Sequence, residues 1–163
     1  MKKSKLIFYE ILDVLKAVIV GLLLYLIFSL FFSVAVIEGK SMYPAYEDGN
    51  LVISTKQFNN LAVGDVIAFE YETNDVDEYH IKRIVGVPGD TVFLNQEKVY
   101  VNGECVIQNG GQEFAATSYY LDDDEYFVVG DNYDVSFDSR IHGPIKESSI
   151  TGEVRVTIPF IKL

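Results

Sequence analysis

The chain has 163 residues, with 13 basic and 24 acidic side chains and a formal net charge of −11 at pH 7. Such an acidic surface repels phosphate backbones, which argues against nucleic acid as a partner. Two histidines and the single Cys105 hardly supply the three or four ligands of a zinc site, and one cysteine cannot form an internal disulfide.

The first predicted element is an apolar helix over residues 17–37. At about 1.5 Å per residue it covers roughly 31 Å, the thickness of a bilayer's hydrocarbon core. Four lysines precede it and Glu38 follows it, which predicts a cytoplasmic N-terminus at 1–16, a single-pass transmembrane anchor at 17–37 and an extracytoplasmic remainder. The alternative is a cleaved secretory signal, because Ser33 and Ala35 have the spacing of an export cleavage site. The length of the run favours a retained anchor.

Residues 38–163 are predicted to form one β-rich domain, with nine basic and 22 acidic residues and a net charge of −13. Short segments rich in β-branched and aromatic residues alternate with turns that contain Gly, Pro or Asn. We therefore predict a mainly β fold, an antiparallel β-sheet domain behind a single N-terminal helix. The predicted strands are 51–55, 66–71, 79–85, 91–94, 99–101, 126–129 and 152–158.

The segment 39–44 follows the apolar run closely and places Ser41 where a membrane helix meets water. A serine needs an activating base before it can be a nucleophile. His80 and His142 are the candidates for a histidine-based triad, and lysine is the remaining base. Lys82 lies centrally in a predicted strand, on the same face as His80. A lone strand lysine is usually a solvated charge, so position alone leaves the base unassigned.

A lysine can act as a base only if its pKa is lowered. At its ordinary pKa of about 10.4 it is neutral about once in 2,500 molecules at pH 7. A pKa of about 8 would make it neutral roughly one time in ten, at a cost of about 3 kcal/mol in disfavoured charge. Apolar burial can produce that shift, and the sequence supplies Ile37, Met42, Ile81 and Ile84 for it.

Four sequence blocks occur in order along the chain, and the resemblance that they support covers nearly all of it. They are Gly39-Lys-Ser-Met-Tyr-Pro44, Gly64-Asp-Val66, Lys82-Arg-Ile-Val-Gly-Val-Pro-Gly-Asp90 and Gly130-Asp-Asn-Tyr-Asp-Val-Ser-Phe-Asp-Ser-Arg140. With these blocks the chain resembles the type I signal peptidases, membrane-anchored serine proteases that use a Ser-Lys dyad.

The resemblance implies that Ser41 is the catalytic nucleophile and Lys82 the general base of an acyl-enzyme mechanism. The Ser41 backbone N–H would bind the oxyanion. Some relatives add a serine hydroxyl two residues before the nucleophile, but this chain has Gly39 there. We therefore expect a compensating donor or a slower enzyme.

The last block implies supporting roles for three residues. Ser136 would be the hydrogen-bond partner that orients Lys82, with Asp138 and Arg140 as a nearby ion pair. A plain fold-stabilising salt bridge is the alternative interpretation of that pair.

By the same resemblance, the partners are secretory precursor proteins at the lipid bilayer, cut after small residues at the first and third positions before the bond. An extended substrate would add as a strand beside the sheet. No metal or other cofactor is implied. The implied pocket residues are Ile37, Met42, His80 and Ile81, although a structural histidine is an equal interpretation of His80.

Two other functions remain open. Signal-peptidase-like proteins dedicated to pilus assembly act as protease or chaperone on pilin or sortase-linked substrates. Self-cleaving repressors share Ser-Lys chemistry, but they are soluble and bind DNA, unlike this acidic chain with its apolar run. The interval 91–129 is shorter than in larger relatives, which insert a second β-domain there, so a minimal enzyme is implied.

Overall fold

The computed structural model describes residues 2–73 and 76–159, with side chains described for 9–71 and 78–159. The chain divides into two compact units, residues 1–32 and 33–163. The elements in chain order are α1 (Lys2–Phe31), β1 (Phe32–Val36), β2 (Leu51–Thr55), β3 (Val66–Thr73), β4 (Val76–Gly86), β5 (Thr91–Gln96), β6 (Lys98–Val101), β7 (Glu104–Ile107), β8 (Phe114–Tyr120), β9 (Glu125–Val129), α2 (Ser139–His142), β10 (Ile145–Lys146) and β11 (Ile150–Ile158), with a 3-10 turn at Glu147–Ser149.

Helix α1 contains a segment, Tyr9–Phe31, that is long and apolar enough to cross a membrane. Its large apolar side chains are exposed along the whole segment, so it has no face packed as a core helix would be. The predicted N-terminal apolar helix is therefore present, and by length and composition it is a candidate membrane span.

The helix ends six residues before the predicted boundary at Ile37. Residues Phe32–Val36 form β1, an edge strand beside β2. Ile37 itself is buried in the β-rich unit, where its N–H donates to Asn50 O over 2.8 Å. Strand and helix both use apolar residues, so composition alone does not show where one gives way to the other.

Seven strands form the larger sheet, in the order β1-β2-β11-β3-β4-β9-β10. The pairings of β11 with β2 and β3, of β4 with β3 and β9, and of β9 with β10 are antiparallel. A second, four-stranded antiparallel sheet has the order β7-β6-β5-β8. The predicted mainly β, antiparallel fold class is thus confirmed.

Strand β9 joins the cores of the two sheets. Tyr126 and Val128 belong to the core cluster of the larger sheet, and Phe127 and Val129 belong to the cluster beneath the smaller sheet. Successive side chains of a strand point to opposite faces, so one strand contributes to both clusters. The smaller sheet, formed within residues 91–120, therefore shares a core with β9 of the larger sheet inside the single unit 33–163.

Candidate active site

The loop between β1 and β2 carries Ser41. Turn hydrogen bonds shape it, from Tyr43 N–H to Lys40 O over 3.1 Å and from Tyr46 N–H to Met42 O over 2.9 Å. Met42 is 2% exposed and secures the loop in the core. Ser41 is left partly exposed at the surface of a groove.

Gly39 lets the chain turn immediately before Ser41. Its φ of +90° lies in the region that favours glycine, and its N–H donates to Asp48 Oδ1 over 2.8 Å. With only a hydrogen as side chain, Gly39 adds no hydroxyl beside Ser41.

Lys82 lies in the middle of β4, paired with Ile67 of β3, and is 2% exposed. Its Nζ donates to Ser41 Oγ over 3.0 Å and to the carbonyl of Ile81 over 3.1 Å. The structure thus brings together the two residues that the sequence predicted as nucleophile and base, from positions 41 residues apart.

Burial lowers the pKa of Lys82 from 10.5 to about 8. Asp138 opposes this shift and Arg140 reinforces it. These two groups form a fully buried pair with each other, Nε to Oδ1 over 2.8 Å and Nη2 to Oδ2 over 2.8 Å. Because the carboxylate is paired with a guanidinium, desolvation remains the larger influence on Lys82.

The Asp138–Arg140 pair also organises the segment before α2. Asp138 accepts hydrogen bonds from Gly130 N–H over 3.0 Å and from Arg140 N–H over 3.2 Å. Arg140 donates to the carbonyl of Tyr133 over 3.2 Å and to the carbonyl of Gly110. These contacts fit a fold-stabilising role for the pair, and its charges also act on the pKa of Lys82.

Ser136 lies near the pair of Ser41 and Lys82 without the predicted hydrogen bond to Lys82. Its Oγ is buried, and among the described residues it has no hydrogen-bond partner. A Cβ on Gly130 would lie 2.2 Å from this Oγ and 2.5 Å from Ser41 O, so the hydroxyl packs beside the Ser41 main chain. Lys82 Nζ instead uses two of its three donors on Ser41 and Ile81.

Two neighbouring residues that the sequence analysis did not single out hold these segments together. Asp131 makes a bidentate pair with Arg83, with N–O distances of 2.8 and 2.7 Å. Asn132 donates from its backbone N–H to Ser41 O over 2.9 Å and from Nδ2 to Lys40 O over 3.1 Å. Their position in the same motif block as Ser136 was the signal that the sequence offered.

An open groove of about 1030 Å³ runs over the sheet beside Ser41 and Lys82. Residues that border it include Ala35 of β1 and Ala68 of β3. The four residues predicted as pocket lining all border it, namely Ile37, Met42, His80 and Ile81.

Aromatic and imidazole rings cluster on the face of β4 that carries Lys82. Tyr71 stacks on His142 with ring centroids 4.4 Å apart, and it meets His80 edge-on at 6.2 Å. Phe69 also stacks on His80, with ring centroids 5.8 Å apart, and the Phe137 ring centroid lies 5.4 Å from that of His142. Burial lowers the pKa of both histidines, and the charge of Lys82 lowers it further. Neutral imidazoles therefore add weakly polar surface near the lysine.

Within the described side chains, no three His, Cys, Asp or Glu groups are arranged to hold a metal ion.

Comparisons with known proteins relate this chain to one family. Residues 11–159 match the profile of the family described as signal peptidase, peptidase S26. Signal peptidase I V of Bacillus subtilis (strain 168) is 33% identical over 138 residues, which are 72% of this chain and 80% of the relative. Signal peptidase I T of the same organism is 33% identical over 164 residues, covering 89% and 84%. A solved signal peptidase I from Enterococcus faecalis V583 matches with a TM-score of 0.47 and 24% identity, covering 61% of this chain and 100% of that one.

Proposed function

This chain belongs to the signal peptidase family of S26 peptidases, and we propose that it is a membrane-anchored signal peptidase I that cuts signal peptides from secreted precursors with a Ser41–Lys82 dyad. Family membership alone does not assign the dyad to these two residues, and one observation supports that assignment. Lys82 Nζ lies 3.0 Å from Ser41 Oγ, at a buried position where its pKa is about 8.

The dyad can perform acyl transfer in two stages. Neutral Lys82 accepts the Ser41 proton as Oγ bonds to the scissile carbonyl carbon, and the carbonyl electron pair moves to oxygen. The tetrahedral intermediate then collapses, and Lys82 passes the proton to the leaving amine. In the second stage Lys82 takes a proton from water as the water oxygen bonds to the ester carbon. The bond from that carbon to Ser41 Oγ then breaks, and Lys82 returns the proton to Oγ, which restores the hydroxyl and the neutral amine.

The groove has room for an extended peptide. Such a substrate would lie along the sheet, with alternate side chains pointing toward it. Ala68 and Ile81, which are paired across β3 and β4, both border the groove and contribute apolar surface to it. The proposed preference for small residues at the first and third positions before the bond is the one that membership of the signal peptidase family implies.

Helix α1 would serve as the anchor, with its lysine-rich start in the cytoplasm. Residues 38–163 would then lie outside the membrane. In this arrangement the groove is available to precursors during export. The contact between Ser41 and Lys82 favours a working protease over a chaperone that has lost its dyad.

The test is cleavage of a secretory precursor by the detergent-solubilised protein, with the new N-terminus mapped by mass spectrometry. We expect a cut after a small-x-small sequence that disappears in Ser41→Ala and in Lys82→Ala. Lys82→Arg should also fail, because a guanidinium stays charged. Lys98, exposed on β6, provides the matched control, and Lys98→Ala should cut normally.

Thermal unfolding of each variant separates loss of chemistry from loss of fold. We expect Ser41→Ala and Lys82→Ala to unfold at nearly the wild-type temperature. Retained cleavage by Lys82→Ala would refute the dyad.

A further inference from the structure

Asn132 holds the peptide units on both sides of Ser41. Its N–H donates to Ser41 O over 2.9 Å, and its Nδ2 donates to Lys40 O over 3.1 Å. A carbonyl oxygen can only accept, so the Asn132 amide must present its NH₂ group to Lys40. The carbonyl of Lys40 belongs to the same peptide unit as the N–H of Ser41.

Fixing that carbonyl also fixes the Ser41 N–H. A trans peptide is planar, and its C=O and N–H point in opposite directions. Tyr43 N–H donates a second hydrogen bond to Lys40 O over 3.1 Å, so two donors hold the plane. Donation to the carbonyl also polarises the amide, which makes its N–H a stronger donor.

The Ser41 N–H is itself uncommitted. Within the described part of the chain, no carbonyl or side chain accepts a hydrogen bond from it. A backbone donor beside a groove, held in direction and left unused, has the properties required to stabilise an oxyanion.

Asn132 is in turn anchored to the strand that carries Lys82. Its neighbour Asp131 makes a bidentate pair with Arg83, the residue after Lys82 in β4. The main chain at 131–132 therefore connects the base strand to the Ser41 loop. The direction of the Ser41 N–H and the position of Lys82 are set through one short segment.

We propose that Asn132 is a positioning residue that aims the Ser41 backbone N–H at the oxyanion. The inference rests on the proposed peptidase function and specifies how its oxyanion is held. Gly39 supplies no hydroxyl as a second oxyanion donor. In this proposal the single, preorganised N–H of Ser41 replaces the pair of donors.

The test compares Asn132→Ala and Asn132→Asp with the wild type in the full-length protein, using a small-x-small peptide substrate. Asn132→Asp keeps the backbone N–H but turns a carboxylate oxygen toward Lys40 O. Asn95, exposed on β5, supplies matched controls through Asn95→Ala and Asn95→Asp. An irreversible acylating reagent, allowed to react to completion, counts the reactive serines in each preparation. Cleavage rates are divided by that number, so that only folded protein contributes to the kcat of a poorly folding variant.

We expect both Asn132 variants to lower kcat about tenfold to hundredfold, because the lost stabilisation is specific to the transition state. KM should change less than about threefold, and the acid limb of the pH profile of Asn132→Ala should not move. A substrate-like peptide aldehyde, whose adduct with Ser41 places an oxygen at the same position, should lose affinity by the same factor as kcat/KM. The Asn95 variants should match the wild type.

Other outcomes separate the two proposals. A wild type that cuts, with the kcat of Asn132→Ala within about twofold, overturns the role of Asn132 alone. A loss confined to KM, or a shifted acid limb in Asn132→Ala, also overturns it, since either would indicate general loosening of the site. A wild type that cuts nothing, or Ser41→Ala that still cuts, contradicts the peptidase function itself.

Discussion

Lys82 illustrates at the scale of one residue how burial creates a base. Lys82 is 2% exposed, and the nearby carboxylate of Asp138 is paired with Arg140. Desolvation is then the largest influence and lowers the pKa to about 8. The same burial that makes the amine reactive holds its Nζ 3.0 Å from Ser41 Oγ.

This lowered pKa predicts the pH dependence of activity. The active form is the neutral amine, so kcat/KM should rise about tenfold per pH unit below pH 8 and level off above it. Initial rates between pH 5.5 and 9.5 at low substrate concentration measure this limb. A profile that is flat across pH 8, with the fold intact, would refute Lys82 as the base.

Burial of the Lys82 amine also lowers the free energy of unfolding over part of the pH range, because the folded and unfolded states bind the proton with different affinity. Below pH 8 the unfolded chain binds a proton that the folded state binds less well, so folding is penalised there. The penalty shrinks as pH rises from about 8 and is gone above the unfolded pKa of about 10.5.

Lys82→Met should therefore raise the free energy of unfolding at pH 7 by about 1–3 kcal/mol, since it removes the buried amine and keeps the volume. Urea unfolding at pH 7 and pH 10 measures the effect, and the gain should be smaller at pH 10. The exposed substitution Lys98→Met controls for lysine removal in general. Equal stability of Lys82→Met and wild type at pH 7 would show that burial imposes no penalty.

At the scale of elements, the site is formed by three segments that contact one another. The loop after β1 supplies Ser41, the middle of β4 supplies Lys82, and the segment 130–140 contacts both. Gly130 lies where these segments approach most closely. An added Cβ there would lie 2.2 Å from Ser136 Oγ and 2.5 Å from Ser41 O.

Gly130→Ala should displace the Ser41 loop from β9, because a backbone oxygen cannot move aside as a flexible side chain can. We expect a loss of about 1–3 kcal/mol in stability, together with a fall in kcat. Chemical unfolding and peptide cleavage on the same preparation measure both. Gly21→Ala in α1 is the matched control, since nothing lies within 4 Å of its added Cβ. Wild-type activity in Gly130→Ala would mean that the loop tolerates the displacement.

At the scale of the whole molecule, the chain is two compact units, one of which is mostly an exposed apolar helix. The unit 33–163 contains the core clusters, the groove and every hydrogen bond described for the site. Its net charge is −13, so its surface provides no general attraction to anionic lipid.

A protein that starts at residue 33 should therefore fold and cut a soluble peptide with nearly the full-length kcat. It should no longer co-sediment with lipid vesicles, whereas the full-length protein should. Sedimentation and peptide cleavage on both forms measure this. A truncated protein that still binds vesicles would place membrane affinity in the β-rich unit, and an inactive one that remains folded would show that the site needs residues 1–32.

Much of this protein was predictable because the information is local in sequence. The seven predicted strands all exist, and the β-branched and aromatic residues that mark them act over short range. Four strands were missed, β1, β7, β8 and β10, and three of them have weak local signals. Strand β8, Phe114–Tyr120, is rich in small and polar residues, and β10 has only two residues. Strand β1 continues the apolar composition of α1, so only its pairing with β2 distinguishes it.

The sequence by itself determined the kinds of residue at the site and their order along the chain. Ser41, Lys82 and the blocks around them were enough to predict a serine peptidase with a lysine base, which remains a prediction at the level of individual residues. Only the tertiary structure decided the contacts: that Lys82 meets Ser41, that Ser136 does not bond to it, and that Asn132 holds the Ser41 main chain. These contacts join segments far apart in sequence, and differences of a few tenths of an ångström decide them. Such distances follow from the packing of the whole domain, which local patterns do not specify.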